Sequence, residues 1–172
     1  NYKNCYKNEE YYYELKKNCK GKYRFKKSFP ITETITDEMG LRIGRHSPPK
    51  DKNKKNIFIF GDSFTYGVGL EYDKTYVGLI EKEKINYNVY NFGVGSYSPS
   101  VHLFKLKKTL KDNIIPEKIL LFLDLTDVID EAVRWNYNEK SNEAKLNYNL
   151  VYKKSLEKKN FIKKNFKVLT NI

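Results

Sequence analysis

The sequence predicts an α/β domain in three layers, α/β/α, built around a mostly parallel sheet. The run Ile57-Phe58-Ile59-Phe60 is unbroken in its apolarity and biased to β-branched and aromatic side chains, as suits a strand covered on both faces. Two further strand-like segments follow, Asn88 to Phe92 and Lys118 to Leu123. Each of the three stops abruptly in a small or polar loop: Gly61-Asp62-Ser63, Gly93-Val94-Gly95-Ser96 and Asp124-Leu125-Thr126-Asp127. The stretches between them have helical character. That alternation is the pattern of right-handed βαβ crossovers, which carry all three loops to the sheet edge where ligands bind.

Taken in order, residues 1–55 read as an N-terminal extension and linker, rich in Lys, Tyr and Asn and poor in aliphatic clusters. Asp37 to Arg42 suits a turn and a short strand. The linker falls at Ser47-Pro48-Pro49 through Lys55, where paired prolines prevent a helix. Residues 56–172 form the main domain, of a size that can bury a core. Within it, Ser100 to Lys111 reads as a helix whose apolar face is Leu103, Phe104, Leu106 and Leu110, leaving His102 solvated or at the helix start. The three aspartates Asp124, Asp127 and Asp130 recur every third residue, a helix-start signal that is favoured over a metal site. Beyond Glu131, Ala132 to Trp135 is expected to cover a sheet edge, Asn136 to Asn149 to form a polar loop or hairpin, and Lys153 to Phe166 a lysine-rich helix.

The strand ending on Gly61-Asp62-Ser63, with its extension Phe64-Thr65-Tyr66-Gly67-Val68-Gly69, resembles the first block of the SGNH/GDSL hydrolase family, in the form common in bacterial branches. The resemblance covers roughly Asp37 to Asp130. It implies a flavodoxin-like fold, truncated here at its C-terminus, and a serine ester hydrolase with Ser63 as the catalytic nucleophile. Asn91-Phe92-Gly93 looks like the second block, whose following backbone N–H donates to the oxyanion; the register leaves Gly95 and Ser96 as alternatives. Asp124-Leu125-Thr126-Asp127 stands where the family has Gly-x-Asn-Asp, so Thr126 occupies the position of the donor amide with a shorter hydroxyl. The implied oxyanion hole is Ser63, Gly95, Ser96 and Thr126. Asp62, Tyr66, Asn91, Gly93, Tyr97 and Asp127 are expected to line the site.

The family's late Asp-x-x-His pair does not occur in these residues. A serine hydroxyl needs a base to take its proton and a third group to orient that base. The two histidines are His46, in an exposed loop ahead of the first strand, and His102, and neither holds the family's catalytic position. The chain has no initial methionine, and the missing pair is expected beyond Ile172. Little esterase turnover is therefore expected of the 172 residues alone. The alternative function is a catalytically inactive glycan-binding or O-acetyltransferase-associated envelope protein.

The formal charge of +12 raises the question of nucleic acid. Only four of the 33 basic residues are arginine, whose rigid fork does most base reading, and the lysines are dispersed. Lys, Asn, Tyr and Ile also share adenine- and thymine-rich codons. The reading is therefore against a nucleic-acid partner and for a small-molecule, glycan or lipid ester substrate, with room for peripheral association with an anionic membrane or envelope surface. Most of the 15 tyrosines are read as packing, with Tyr66 and Tyr97 set apart by their loops. No cofactor or metal is expected. Cys5 and Cys19 form either a disulfide in an exported protein or two free thiols in a cytosolic one. No apolar run has membrane-spanning length and the start is not a signal peptide. The reading favours the cell envelope or periplasm, with a cytoplasmic location left open.

Overall fold

The computed structural model describes residues 4–8, 13–138, 140–141 and 143–147. In chain order the strands are β1 (Tyr6–Asn8), β2 (Tyr13–Leu15), β3 (Lys20–Tyr23), β4 (Thr32–Thr36), β5 (Arg42–Ile43) and β6 (Lys55–Phe60). Then come α1 (Ser63–Tyr66), a 3-10 turn at Tyr72–Lys74, α2 (Tyr76–Glu83), β7 (Tyr87–Asn91), α3 (Pro99–Lys111), β8 (Lys118–Leu121) and α4 (Leu125–Val133). A hairpin of β9 (Trp135–Asn138) and β10 (Glu143–Leu146) follows. The expected helix from Lys153 to Phe166 lies outside the described residues.

The main sheet has the order β7-β6-β8, all parallel, with Ile57 opposite Val89 and Ile59 opposite Leu120. The chain crosses from β6 to β7 through α1 and α2, then returns over β6 through α3 to reach β8. Strand order thus reverses at β6, and in such sheets the crevice beyond the carboxyl ends at the reversal is where ligands bind. Ser63 follows β6 directly.

Alternation along β6 divides its side chains between two layers. Phe58 and Phe60 pack with Tyr90, Phe92 and Leu41, against Leu106 of α3. Ile57 and Ile59 pack with Val89, Tyr72 and Val77, against Ile80 of α2. The strand is covered on both faces, as its unbroken apolar run predicts. Each of these side chains contributes about 1.5–3 kcal/mol by leaving water. At the other edge β8 has β6 as its partner, and Leu121, Leu123, Leu125 and Val128 are exposed.

The N-terminal residues add an antiparallel sheet, β3-β4-β5, and the small pair β1-β2. A disulfide joins Cys5 to Cys19, with 5.7 Å between their Cα atoms, and ties the β1-β2 pair to the start of β3. The threonines of β4 alternate inward, where the Thr34 hydroxyl bonds the Tyr66 hydroxyl and Thr36 donates to the Lys16 carbonyl. Arg42 is wholly buried between this sheet and the turn after α1. Its guanidinium donates to the carbonyls of Tyr66 (2.5 Å), Gly67 (3.0 Å), Leu70 (2.7 Å) and Glu33 (3.1 Å), and lies 4.6 Å from the Tyr66 ring centre.

Two expectations are corrected. Of the expected apolar face of α3, Phe104 and Leu106 pack partly buried against the core while Leu103 and Leu110 are exposed, and the fully buried positions are Val101, His102 and Thr109. The helix is turned by what faces it: its first turn sits against the aromatic cluster of Tyr97 and Trp135, and Lys105 pairs with Glu14 of β2 at 2.7 Å. Trp135 does not cover a sheet edge; it is buried with Tyr13 and Tyr97 over the loop after β7.

Candidate active site

Ser63 is the first residue of α1, and the local sequence explains its presentation. Asp62 caps the helix: its Oδ1 accepts from the Phe64 N–H at 2.9 Å. Its Oδ2 accepts the Ser63 hydroxyl proton at 2.9 Å. The helix lasts one turn because Gly67 follows in the left-handed conformation, with φ of 81°. Ser63 is left half-buried at the crevice while Phe64 beside it is 71% exposed.

The loop after β7 is bound against this turn. Phe92 N–H donates to Ile59 O at 2.8 Å and Val94 N–H to Gly61 O at 3.3 Å, so the two loops run side by side. Asn91 is buried and bridges them: its Oδ1 accepts from Gly93 N–H (2.9 Å) and its Nδ2 donates to Thr65 O (3.3 Å). Gly93 approaches the backbone of Thr65 and Tyr66 so closely that a side-chain carbon there would overlap Tyr66 N. Gly95 consequently faces the nucleophile; a Cβ on it would stand 3.8 Å from Ser63 Cβ. Among the described residues the Gly95 and Ser96 N–H groups donate to no protein acceptor. Ser96 has a φ of 60°, rare for a residue with a side chain, and marks a constrained turn beside the site.

That constraint is held from outside the parallel sheet. The Tyr13 hydroxyl of β2 donates to Gly95 O at 2.6 Å, and Trp135 Nε1 donates to Ser96 O at 2.7 Å. Burial pushes the Tyr13 phenol up to about 12, so it stays a donor at any ordinary pH. Tyr13 and Trp135 fix both carbonyls of the loop that lines the crevice beside Ser63. Sequence reasoning gave neither a place at the site, since nothing in their local pattern signals a contact 82 residues away, as Tyr13 makes.

The third loop lies on the other side of Asp62. Asp124 caps α4 and exchanges hydrogen bonds with Asp127 in a capping box, as the spacing of the aspartates predicts. The carboxylates of Asp62, Asp124 and Asp127 lie within 4.8 Å of one another, the group of three among the described residues that could approach a cation. Each caps a helix with one oxygen, while Asp124 Oδ2 and Asp127 Oδ1 are buried with no hydrogen-bond partner among the described residues. Burial, with the nearby Asp62 and Asp124 carboxylates, pushes the Asp127 carboxyl upward, whereas the hydrogen bond from Thr126 draws Asp124 downward. The Thr126 hydroxyl is spent on Asp124 Oδ1 at 2.6 Å. The structure therefore brings Ser63, Gly95 and Ser96 together and turns the Thr126 hydroxyl to its own cap.

Tyr66 and Tyr97, expected to line the site, are instead fully buried behind it. Tyr66 bonds Thr34 and lies under Arg42, and the Tyr97 hydroxyl donates to Tyr13 O at 2.6 Å.

Neither histidine reaches Ser63. His46 is exposed, in a depression with Arg45, Glu71 and Asp73. His102 is 4% exposed, with ring centres of Phe60 and Tyr97 at 5.8 and 6.1 Å and no hydrogen-bond partner for either nitrogen. Burial lowers its pKa from 6.5 to about 4, opposed by the Glu131 carboxylate, which is itself held by Ser98 and Ser100. Below about pH 6.5 the unfolded chain takes up a proton that the folded chain refuses until about pH 4. Stability is therefore expected to fall across that window, by about 3 kcal/mol. In His102→Phe this part of the acid slope should be absent from chemical denaturation at pH 7, 5.5 and 4.5; an unchanged slope would show that His102 is not its source.

Ser63 lines one of two depressions here, and its neighbours Asp62 and Phe64 line the other. One, of about 350 Å³, is lined by aromatic residues together with Ser63, Gly95 and Ser96. The other, of about 180 Å³, contains Asp62, Tyr76 and Asp124. The exposed Phe64 borders both.

No protein-family model matches the chain, and no curated protein matches it. Among solved structures, the crystal structure of AlinE4, a SGNH-hydrolase family esterase, is similar to it. The two are 24% identical over 48% of this chain and 46% of that one, less than half of each, with a TM-score of 0.38. With a likeness so partial, the chemistry has to be read from the site itself.

Proposed function

We propose that the chain carries the nucleophile and oxyanion half of an SGNH/GDSL-type serine ester hydrolase. The observation that carries this reading is the placement of Ser63, at the switch point of the sheet, beside the braced Gly95-Ser96 turn, whose N–H groups bond no acceptor among the described residues. Ser63 Oγ attacks the ester carbonyl carbon as its proton passes to a base. The carbonyl oxygen becomes an oxyanion and accepts from the Gly95 or Ser96 N–H and from that of Ser63, each donor lowering the barrier by about 3 kcal/mol. Collapse of the tetrahedral intermediate expels the alcohol, leaves an acyl group on Ser63, and water releases it.

In the described residues the acceptor for the Ser63 proton is Asp62, which also caps α1; the hydrolase reading needs in addition a base and an acid that orients it. The substrate class is an acyl or carbohydrate ester. The Cys5–Cys19 disulfide supports a place in an oxidising compartment, the envelope or periplasm. The positions of His46 and His102 favour a second reading, a binding module that holds an ester or glycan without cleaving it.

The test is hydrolysis of a chromogenic short-chain ester by the chain and by its Ser63→Ala variant, with and without imidazole in solution. Wild type alone should be slow. Imidazole, acting as the external base, should raise the wild-type rate above that of Ser63→Ala by about tenfold or more, within the range of general-base effects. Equal rates for the two proteins in imidazole would favour the binding module.

A further inference from the structure

The larger depression beside Ser63 is built almost entirely by residues outside the parallel sheet. Tyr6 of β1, Tyr23 of β3, Phe25 and Phe29 of the following turn, and Val68 and Leu70 after α1 supply its apolar lining. The Tyr6 and Tyr23 ring centres are 5.9 Å apart, and those of Phe25 and Phe29 are 5.4 Å apart and edge to face. The Phe29 ring lies against Gly69, which seats this lining on the turn after α1. The disulfide links Cys5, next to Tyr6, with Cys19, just ahead of β3, and so fixes the two tyrosine-bearing strands to each other.

The chemistry of this cavity is unlike that of the rest of the chain. Lys and Arg make up 33 of the 172 residues, yet no charged side chain lines it. Its polar groups are hydroxyls and the loop backbone. A sugar needs several convergent hydrogen-bonding groups in its site, whereas a lining that is mainly apolar and carries no charge suits a hydrocarbon. The volume of about 350 Å³ is near the small end for ligand sites and holds about twelve water-sized groups.

We propose that this cavity is the acyl site of the Ser63 centre, in which Tyr6, Tyr23, Phe25 and Phe29 select an ester with an unbranched apolar acyl chain of about six to ten carbons. The proposal rests on the hydrolase reading for its chemistry and on the cavity for its specificity. A carbonyl carbon at Ser63 with its oxygen toward Gly95 and Ser96 puts the acyl tail among the aromatic rings. The alcohol portion is then directed past Phe64 to the smaller cleft, where Asp62, Tyr76 and Asp124 offer partners to hydroxyl groups.

The experiment measures octanoate binding to the Ser63→Ala protein by calorimetry, with acetate as the short comparison, so that it requires no catalysis. Octanoate should saturate and acetate should not. Phe25→Ser with Phe29→Ser should weaken octanoate at least about tenfold. If that double variant lowers the melting temperature, Phe25→Ser alone, at an exposed ring, takes its place with a smaller weakening expected. The proposal is overturned if octanoate does not saturate, or if its affinity is the same without the phenylalanine rings. Octanoate binding as expected with no Ser63-dependent hydrolysis keeps the cavity and removes the hydrolase reading. Ser63-dependent hydrolysis with no octanoate binding does the reverse.

Discussion

Replacing Arg42 by alanine is expected to destabilise the fold by about 3–5 kcal/mol, since several buried carbonyls lose their donor at about 1–3 kcal/mol each and part of that is recovered by relaxation. Four carbonyls, those of Glu33, Tyr66, Gly67 and Leu70, take their hydrogen bonds from one guanidinium that is completely buried. Truncation leaves these acceptors in a cavity under the Tyr66 ring, and each unsatisfied buried acceptor carries its own penalty. Against a typical total stability of about 5–15 kcal/mol, much of the protein would unfold. Lysine keeps the charge but has no planar fork to serve four acceptors on two segments, so Arg42→Lys should also lose stability, by less. Urea denaturation followed by circular dichroism measures both. A midpoint for Arg42→Ala within error of the wild type would show that Arg42 does not hold the turn after α1 in place.

Gly93→Ala should have the largest effect on the site for its size. A methyl group at Gly93 would overlap Tyr66 N and stand 2.5 Å from Thr65 C and 2.7 Å from Thr65 Cγ2. Two of those atoms are backbone and cannot swing aside. The loop after β7 must therefore move away from α1, breaking the Asn91 bridge and separating Gly95 from Ser63. Overpacking of this kind costs about 1–3 kcal/mol in stability. Loss of one oxyanion donor lowers turnover by roughly 10²–10³. Imidazole-assisted, Ser63-dependent ester hydrolysis should thus fall far more than the melting temperature implies. A variant that is folded and keeps the wild-type rate would show that this loop does not supply the donor.

The parallel sheet was legible because a strand buried on both faces writes its position as a continuous apolar run, and because each such run here stops at a polar loop. The Asp124 and Asp127 capping pair was equally local, settled by carboxylates three residues apart. What could not be read depends on contacts between distant segments. Arg42 sits in an unremarkable two-residue strand, and Tyr13 and Trp135 act on Gly95 and Ser96 from opposite ends of the chain. Helix α3 shows how periodicity misleads: its leucines outnumber its other apolar residues, but the inward face is set by Tyr97, Trp135 and Glu14 across from it. Tyr66 and Tyr97 were placed in the right loops, yet sequence position does not say whether a ring turns to the crevice or to the core behind it. The aromatic cavity was hidden for a related reason, since its rings come from short segments with no strand or helix rhythm.

The most direct measurement is the position of a covalent adduct after treating the folded chain with a fluorophosphonate in imidazole buffer. Phosphorus stands in for the tetrahedral carbonyl carbon, so reaction requires both the hydroxyl and the oxyanion donors. The account predicts a single adduct, found by peptide mass spectrometry on Ser63 and missing in Ser63→Ala and in the urea-unfolded chain. Labelling of Ser63 no faster than that of the other serines would contradict it.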